Sequence, residues 1–277
     1  MQEVINRWTE SARYWEKHRA TIREMFAPIT EALITEARIS SGSAVLDIAT
    51  GPGEPALAIA EFVGREGKVV GVDVIAEMVE AARREVTRRK LHNISFAVAS
   101  ADALPGEAAR VDAVVSRFGI MFFPAPVVAI REMLRVLKPG GRIALAVWSF
   151  AERNPFHYIL SRAVERYVGP PELAEDAPDA FRYAAPGKLR SVLSEAGAAD
   201  VSERLLQFSI RAQVSLEEFW TLRSEMTERL RNALAKLPRE QMAEVKREAI
   251  EAFRAYSGEQ GVSLPAEVLI VSGRKPS

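Results

Sequence analysis

The 277-residue chain has no cysteine and only three histidines. Without cysteine there is no disulfide framework, no thiolate zinc site and no cysteine nucleophile. Neither sign of charge is in excess, since 37 Lys and Arg balance 37 Asp and Glu. Non-specific nucleic-acid binding draws on a basic excess or a basic stripe. The densest basic run, "RREVTRRK" from Arg83 to Lys90, alternates with apolar positions and reads as a solvated helix face. No apolar run is long enough to span a bilayer. The opening "MQEVINRWTESARYWEKHRA" has no apolar core of a secretory signal, so the cytoplasm is expected and stable membrane insertion is not. Asp, Glu and His nowhere recur at metal-ligand spacing, so no metal is expected.

What is present is an ordinary globular composition, 48% hydrophobic and 27% charged, in a length that suits one large domain with an appended subdomain. Trp8, Trp15, Ile22, Met25, Phe26, Leu33 and Ile34 recur at helical spacing over residues 3–38, and Ser40-Ser41-Gly42-Ser43 then breaks the chain. From Ala44 strands and helices alternate: strand 44–49, a helix starting near Glu54 and Pro55, strand 68–74, helix 76–90, strand 94–100, strand 111–118, helix 127–137, and strand 142–150. "KPGG" stands where a helix stop belongs. Strands nearly continuous in Val, Ile and Ala are buried on both faces, and strand–helix alternation builds βαβ units. Beyond Phe150 the spacing predicts a helix over 152–168, a Pro/acidic loop over 169–181, a helix over 185–198, strand 201–212, two helical stripes over 215–257 and a last strand over 266–275. The expected fold is a doubly wound, Rossmann-like α/β fold. It has a seven-stranded, mostly parallel sheet with helices on both faces. A helical N-terminal lid (1–40), a core (41–150) and a completing region (151–277) follow, with cap insertions at about 151–185 and 214–258.

The turn in "VLDIATGPGEPALAIA" satisfies a dinucleotide fingerprint through Gly51, Gly53 and Ala56. It ends the first strand, where ligands of open parallel sheets bind. Asp73 ends the second strand about twenty residues on, where a carboxylate accepts hydrogen bonds from vicinal ribose hydroxyls. To this point NAD and S-adenosylmethionine fit equally, because both contain adenosine. Pro52 and Pro55 each remove an N–H that a pyrophosphate on a helix N-terminus would use, and Glu54 adds negative charge there. Tyr158 is followed four residues later by Arg162, where a short-chain dehydrogenase would place lysine.

The blocks "VLDIATGPG", "VVGVDVIAEMVEAA", "ASADALP", "VDAVVSRFGIMFF" and "IREMLRVLKPGGRIALAVW" resemble, in order and spacing, class I S-adenosylmethionine-dependent methyltransferases. Within these the chain most resembles the small-molecule group related to ubiquinone/menaquinone-biosynthesis C-methyltransferases, over about residues 40–150. Ala49 departs from the family's first glycine. The resemblance implies S-adenosylmethionine as cofactor, S-adenosylhomocysteine as product and a small-molecule methyl acceptor, and it leaves a homodimer open. It implies that Asp47 organises the turn near the cofactor's amino group and that Ala49 and Gly51 line its methionine part, with Thr50 and Gly53 in the same cofactor-binding turn. Asp73 would hold the ribose, Val74 and Met78 would pack on the adenine, and Asp102 with Ala101 and Ala103 would read its exocyclic amine. Arg117 and Phe118 would face the methyl group and amino-acid tail.

A sulfonium is already an activated leaving group, so alignment and exclusion of water dominate, and a base is needed only for a protonated acceptor. His18 and His157 are the histidines within reach of such an acceptor, while His92 reads as a turn residue; Tyr14, Tyr158 and Arg117 are other polar candidates. Lack of metal-ligand spacing disfavours a catechol-type magnesium mechanism, and lack of cysteine disfavours the arsenite methyltransferases. Ser116-Arg117-Phe118-Gly119 stands where a DNA amino-methyltransferase needs its Asn/Asp-Pro-Pro-aromatic motif. Trp8, Tyr14, Trp15, Phe118, Met121, Phe122, Phe123, Phe156, Tyr158, Phe181, Phe219 and Trp220 crowd the expected lid and suit a hydrophobic or aromatic acceptor. The accepting atom, O, N or C, is left open. A cofactor-binding protein without turnover and a nicotinamide-dependent oxidoreductase are the alternative readings.

Overall fold

In the computed structural model, residues 2–169 and 177–277 are described; most of the Pro/acidic segment expected at 169–181 lies outside them. Three helices precede the sheet, α1 (Gln2–Lys17), α2 (Arg19–Met25) and α3 (Ala27–Glu36). They are separated at His18 and Phe26, and Pro28 lies in the first turn of α3, where its missing N–H costs nothing.

The apolar runs then form β1 (Ala44–Ile48), β2 (Lys68–Asp73), β3 (Ile94–Val98), β4 (Val111–Arg117) and β5 (Leu137–Trp148). Between them lie α4 (Ala56–Val63), α5 (Ala76–Arg89) and α6 (Pro126–Val136). The C-terminal part adds α7 (Pro155–Val168), α8 (Lys188–Glu195), β6 (Ala199–Ala212), α9 (Leu216–Met226), α10 (Glu228–Ala235), α11 (Arg239–Arg254), β7 (Ser257–Gly258) and β8 (Gly261–Arg274).

The sheet order is β3-β2-β1-β4-β5-β8-β6. β1 to β5 pair in parallel, and β8 runs antiparallel to both of its neighbours. Consecutive buried residues in β1, β4 and β5 require cover on both faces. α3 and α4 pack together over one part of the sheet, and α6 packs with α8 over another.

Four expectations need correction. The sheet has eight strands rather than seven, because the chain folds back after β7 and pairs Ser257 with Val262 and Gly258 with Gly261. β8 therefore starts before Pro265, which its partner β6 accommodates opposite Ser209 on a stretch that β5 does not reach. "KPGG" does not follow a helix end directly: Leu137 is already extended and paired with Val111, and the register jumps to Ala113–Arg142 across a bulge. The stripe of residues 219–237 divides at Thr227 into α9 and α10, giving three helices in place of two, and a Ser215–Glu218 capping box starts α9. Arg83–Lys90 is not wholly solvated either. Arg89 is tucked against Glu54, Glu61 and Glu85, and Glu85 is buried, its carboxyl held down at about 2 chiefly by the Arg88 hydrogen bond.

Gly71 in β2 lies where a Cβ would come within 2.4 Å of the Phe96 ring and 2.9 Å of Thr50 Oγ1. Gly71→Ala is expected to cost about 1–3 kcal/mol through overpacking. Denaturant unfolding checks this, and an unchanged midpoint would show that Phe96 has room to move.

Candidate cofactor and acceptor cavity

The chain runs from β1 outward to β2 and β3 and then crosses back to β4 on the other side of β1, so strand order reverses beside the carboxyl end of β1. The turn Ala49–Gly53 projects there. Ala49, Gly51 and Gly53 all have positive φ, at 56°, 56° and 109°. For Ala49 this left-handed conformation costs on the order of 1 kcal/mol, at the position where the resembled family has glycine. A Cβ on Gly53 would strike Leu57 at 2.6 Å, whereas one on Gly51 would meet nothing within 4 Å. Gly53 thus serves close packing of the turn on α4, and Gly51 faces open space.

Asp73 fastens this turn to the end of β2. One of its oxygens accepts from Gly51 N–H at 2.9 Å and the other from Ile75 N–H at 3.0 Å. Burial raises its pKa, and each oxygen keeps a further lone pair for a ligand. Asp47 lies below the turn, wholly buried, and accepts from Ala56 N–H at 3.2 Å as α4 begins. α4 therefore starts after Pro55, not at Glu54, and its first N–H is satisfied by Asp47.

A cavity of about 460 Å³ opens along the strand ends. Of the residues expected at a cofactor, Ala49, Thr50, Gly51, Asp73, Val74, Met78, Ala101, Asp102, Arg117 and Phe118 line it. Asp47, Gly53 and Ala103 do not: Asp47 and Gly53 build the turn from behind, and Ala103 N–H closes a turn on Ser100 O. Asp102 also contacts the Ser100 hydroxyl.

Beyond this polar floor the walls are rings. Phe118 stacks on Trp148 at 4.4 Å, and Trp148 meets His157 edge-on at 4.5 Å. Phe26 and Phe156 close around them, and Trp8 and Trp15 of α1 line the opposite side, with Trp8 5.2 Å from Phe122. Met121 and Phe123 of the expected aromatic set also line the cavity; Tyr14, Tyr158, Phe181, Phe219 and Trp220 do not. Phe219 and Trp220 are core.

The polar candidates separate clearly. His157 lines the cavity, and burial followed by the charge of Arg223 holds its pKa well below the ordinary value, so it is neutral at pH 7. Arg117 also lines it, but its donors reach Thr30 Oγ1 at 3.0 Å and Glu54 O at 3.3 Å, joining α3 to the turn. His18 is elsewhere: its Nε2 lies 2.6 Å from Glu225 Oε2, beside a Lys17–Glu225 pair at 2.8 Å. Tyr14 accepts from Arg13 and lies under the Arg231 guanidinium. Tyr158 OH is 3.5 Å from Tyr256 OH. Glu54 is no free charge beside the turn, because it pairs with Arg89 at 3.0 Å.

The sequence reading missed Trp148 and Arg223 as cavity residues. Arg223 carried one signal, a lone charge inside the apolar stripe of Phe219, Leu222 and Met226.

The open, mostly parallel sheet with helices on its faces and an antiparallel β8 is a Rossmann-like arrangement. Residues 45–141 match the methyltransferase domain family. Aklanonic acid methyltransferase DauC of Streptomyces sp. (strain C5) is 39% identical over 122 residues, 44% of this chain and 55% of that protein. The ubiquinone/menaquinone biosynthesis C-methyltransferase UbiE of Pseudomonas putida (strain GB-1) is 38% identical over 130 residues, 47% of this chain and 49% of that one. The chain thus spans about half the length of the curated relatives it matches. The YcgJ protein of Bacillus subtilis shares the fold, with a TM-score of 0.57 at 21% identity over 90% of this chain and 98% of that chain. Residues 45–141 are thus similar to a methyltransferase domain, within a chain that shares the Rossmann-like fold of its methyltransferase neighbours.

Burial pushes the Asp47 carboxyl up to about 7, against about 4 in an unfolded chain. The folded protein then holds a proton that the unfolded chain releases. This group's contribution to stability is complete below about pH 4 and is lost as the pH rises toward 7. Asp47→Asn keeps an acceptor for Ala56 N–H and is expected to be more stable than the parent at pH 7.5, by up to about 4 kcal/mol. The gain shrinks toward pH 4. Thermal unfolding across this range checks it; a pH-independent difference would reject it.

Proposed function

We propose that the chain transfers a methyl group from S-adenosylmethionine to a small, apolar or aromatic molecule by direct displacement. The observation that carries this is one continuous cavity whose polar floor of Gly51, Asp73 and Asp102 passes directly into a chamber of aromatic rings. Asp73 offers acceptors to vicinal hydroxyls, Asp102 offers one to an exocyclic amine, and Val74 and Met78 supply apolar cover for the base between them. The free space at Gly51 admits a ligand against the backbone. When bound, the sulfonium supplies an activated methyl group and its own leaving group.

The remaining work belongs to the chain. Orienting two bound reactants supplies roughly 7–11 kcal/mol. The rings of Phe118, Trp148 and Phe156 give an apolar acceptor a flat, dry surface. α1 acts as a lid: Trp8 and Trp15 cover the chamber, and α1 is latched to α9 by Trp15 Nε1–H donating to Met226 O at 3.0 Å and by Lys17 and His18 on Glu225. His157, held neutral, is the group placed to accept a proton from an acceptor that arrives protonated, a factor on the order of 10²–10⁴. The relatives DauC and UbiE are named for aklanonic acid and for ubiquinone and menaquinone biosynthesis, and a small apolar acceptor suits this chamber. Against a nicotinamide stand the two prolines of the turn and the absence of a Tyr–Lys pair at Tyr158 and Arg162.

Calorimetric titration with S-adenosylhomocysteine tests the site. Asp73→Ala is expected to weaken it on the order of a hundredfold, from the loss of two charge-assisted hydrogen bonds and of the Gly51 anchor. Unchanged affinity, or tighter binding of NADH than of S-adenosylhomocysteine, would overturn the assignment. Glu225→Ala, which frees the latch, is expected to weaken the same ligand roughly three- to tenfold through faster dissociation, as stopped-flow fluorescence would show. Transfer of tritium from labelled S-adenosylmethionine into a metabolite extract then reads out turnover; tight binding without any labelled product would instead indicate a protein that binds the cofactor without transfer.

A further inference from the structure

Arg223 sits near the end of α9 with a 3% exposed side chain, yet it lines the cavity. Its Nε–H donates to Phe156 O at 2.8 Å, its guanidinium carbon lies 3.7 Å from the Phe156 ring centroid, and Nη1 touches Met226 sulfur at 3.9 Å. Among the described residues no carboxylate forms an ion pair with it, and burial alone lowers its pKa, to about 9.

This sets Arg223 apart from the other buried charges. Arg117 donates to Thr30 and to the Glu54 carbonyl and feels the nearby Glu54 charge. Arg19 pairs with Glu85 at 2.9 Å, and Arg89 with Glu54 and Glu85. Nor, among the described residues, does a neighbour in the same wall offer Arg223 a counter-charge. Asp179 lies 3.6 Å from Arg229, Glu228 is bonded to Asn232, and His157 is neutral. An uncompensated buried cation costs several kcal/mol, and an apolar side chain of similar volume would pack the same place more cheaply. Phe156 takes up Nε and the flat face of the guanidinium and Nη1 also lies against the Met226 sulfur, which leaves Nη2 for something that enters the cavity.

We propose that the methyl acceptor carries an anionic oxygen group, a carboxylate or an equally acidic phenol or enol, which Arg223 anchors while the apolar body lies along Phe118, Trp148 and Phe156. A guanidinium fork matches two carboxylate oxygens, and the low local polarity strengthens the pair. His157, held neutral, adds no charge of its own, and the other arginines lining the cavity, Arg19, Arg117 and Arg229, have partners within the chain. The proposal rests on the reading of this cavity as the methyl-transfer site and specifies its substrate class.

The test uses the full chain saturated with S-adenosylhomocysteine. It is titrated with benzoate, 2-naphthoate and anthracene-2-carboxylate and with the matching neutral carboxamides, by calorimetry and tryptophan fluorescence. At least one carboxylate is expected to bind about tenfold or more tightly than its amide. Arg223→Gln, which keeps a donor for Phe156 O, is expected to erase that preference while leaving the amide within about twofold. Arg223→Lys, which keeps the charge, is expected to retain part of it. The idea is overturned if no carboxylate surpasses its amide in the parent protein, a comparison that needs no variant to fold, or if the preference survives in Arg223→Gln. Absence of S-adenosylhomocysteine binding would count against the methyl-transfer reading instead, while a carboxylate preference that depends on Arg223 would still stand.

Discussion

The Asp73 carboxylate is the point on which the site depends. By taking Gly51 N–H on one oxygen and Ile75 N–H on the other, it joins the turn after β1 to the start of α5. A single buried side chain thereby positions the floor of the cavity from two strands at once. Its desolvation is tolerable because both backbone donors favour the ionised form. From this tie follow the left-handed turn, the open space at Gly51 and the apolar surface offered by Val74 and Met78.

Around that floor the protein handles buried charge in two ways. Under the turn, Glu54 and Glu85 are surrounded by Arg19, Arg23 and Arg89, so α2, α4 and α5 are held by opposite charges that compensate one another. In the acceptor wall, Arg223 has backbone and ring contacts but no counter-ion among the described residues. The first arrangement serves the fold, because each desolvated group finds its partner inside the chain. The second leaves a buried guanidinium without a counter-ion among the described residues, which is the basis for the proposed anionic acceptor.

Much of the architecture was legible because it is local. Val/Ile/Ala runs separated by glycine turns give buried parallel strands, and the first four parallel strands lie where the periodicity placed them, while β5 starts earlier, at Leu137. The errors fell where long-range pairing overrides local signals. "KPGG" looks like a helix stop but is a bulge, because Val111 on the neighbouring strand captures Leu137 first. The β7 arm is two residues long and has no periodicity to detect. In the site, Gly51 and Asp73 stood out through their spacing after strands, and Asp102 only through the family resemblance. Asp47 and Gly53 belong to the same motif but face away from the cavity, since one caps α4 and the other packs on Leu57.

Sequence by itself determined the strand–helix alternation, the glycine turn and the acidic residue that ends β2, because each is encoded within a few residues by backbone freedom and apolar periodicity. Tertiary structure alone decided which charges meet the cavity. His18 and Tyr14, near in sequence to the tryptophans of α1, are drawn off to Glu225 and Arg231 on other helices. Arg223, unremarked in a helical stripe, is carried to the Phe156 carbonyl 67 residues away. Burial and pairing are properties of the packed helices, and no local pattern records which side chain will be left inside without a partner.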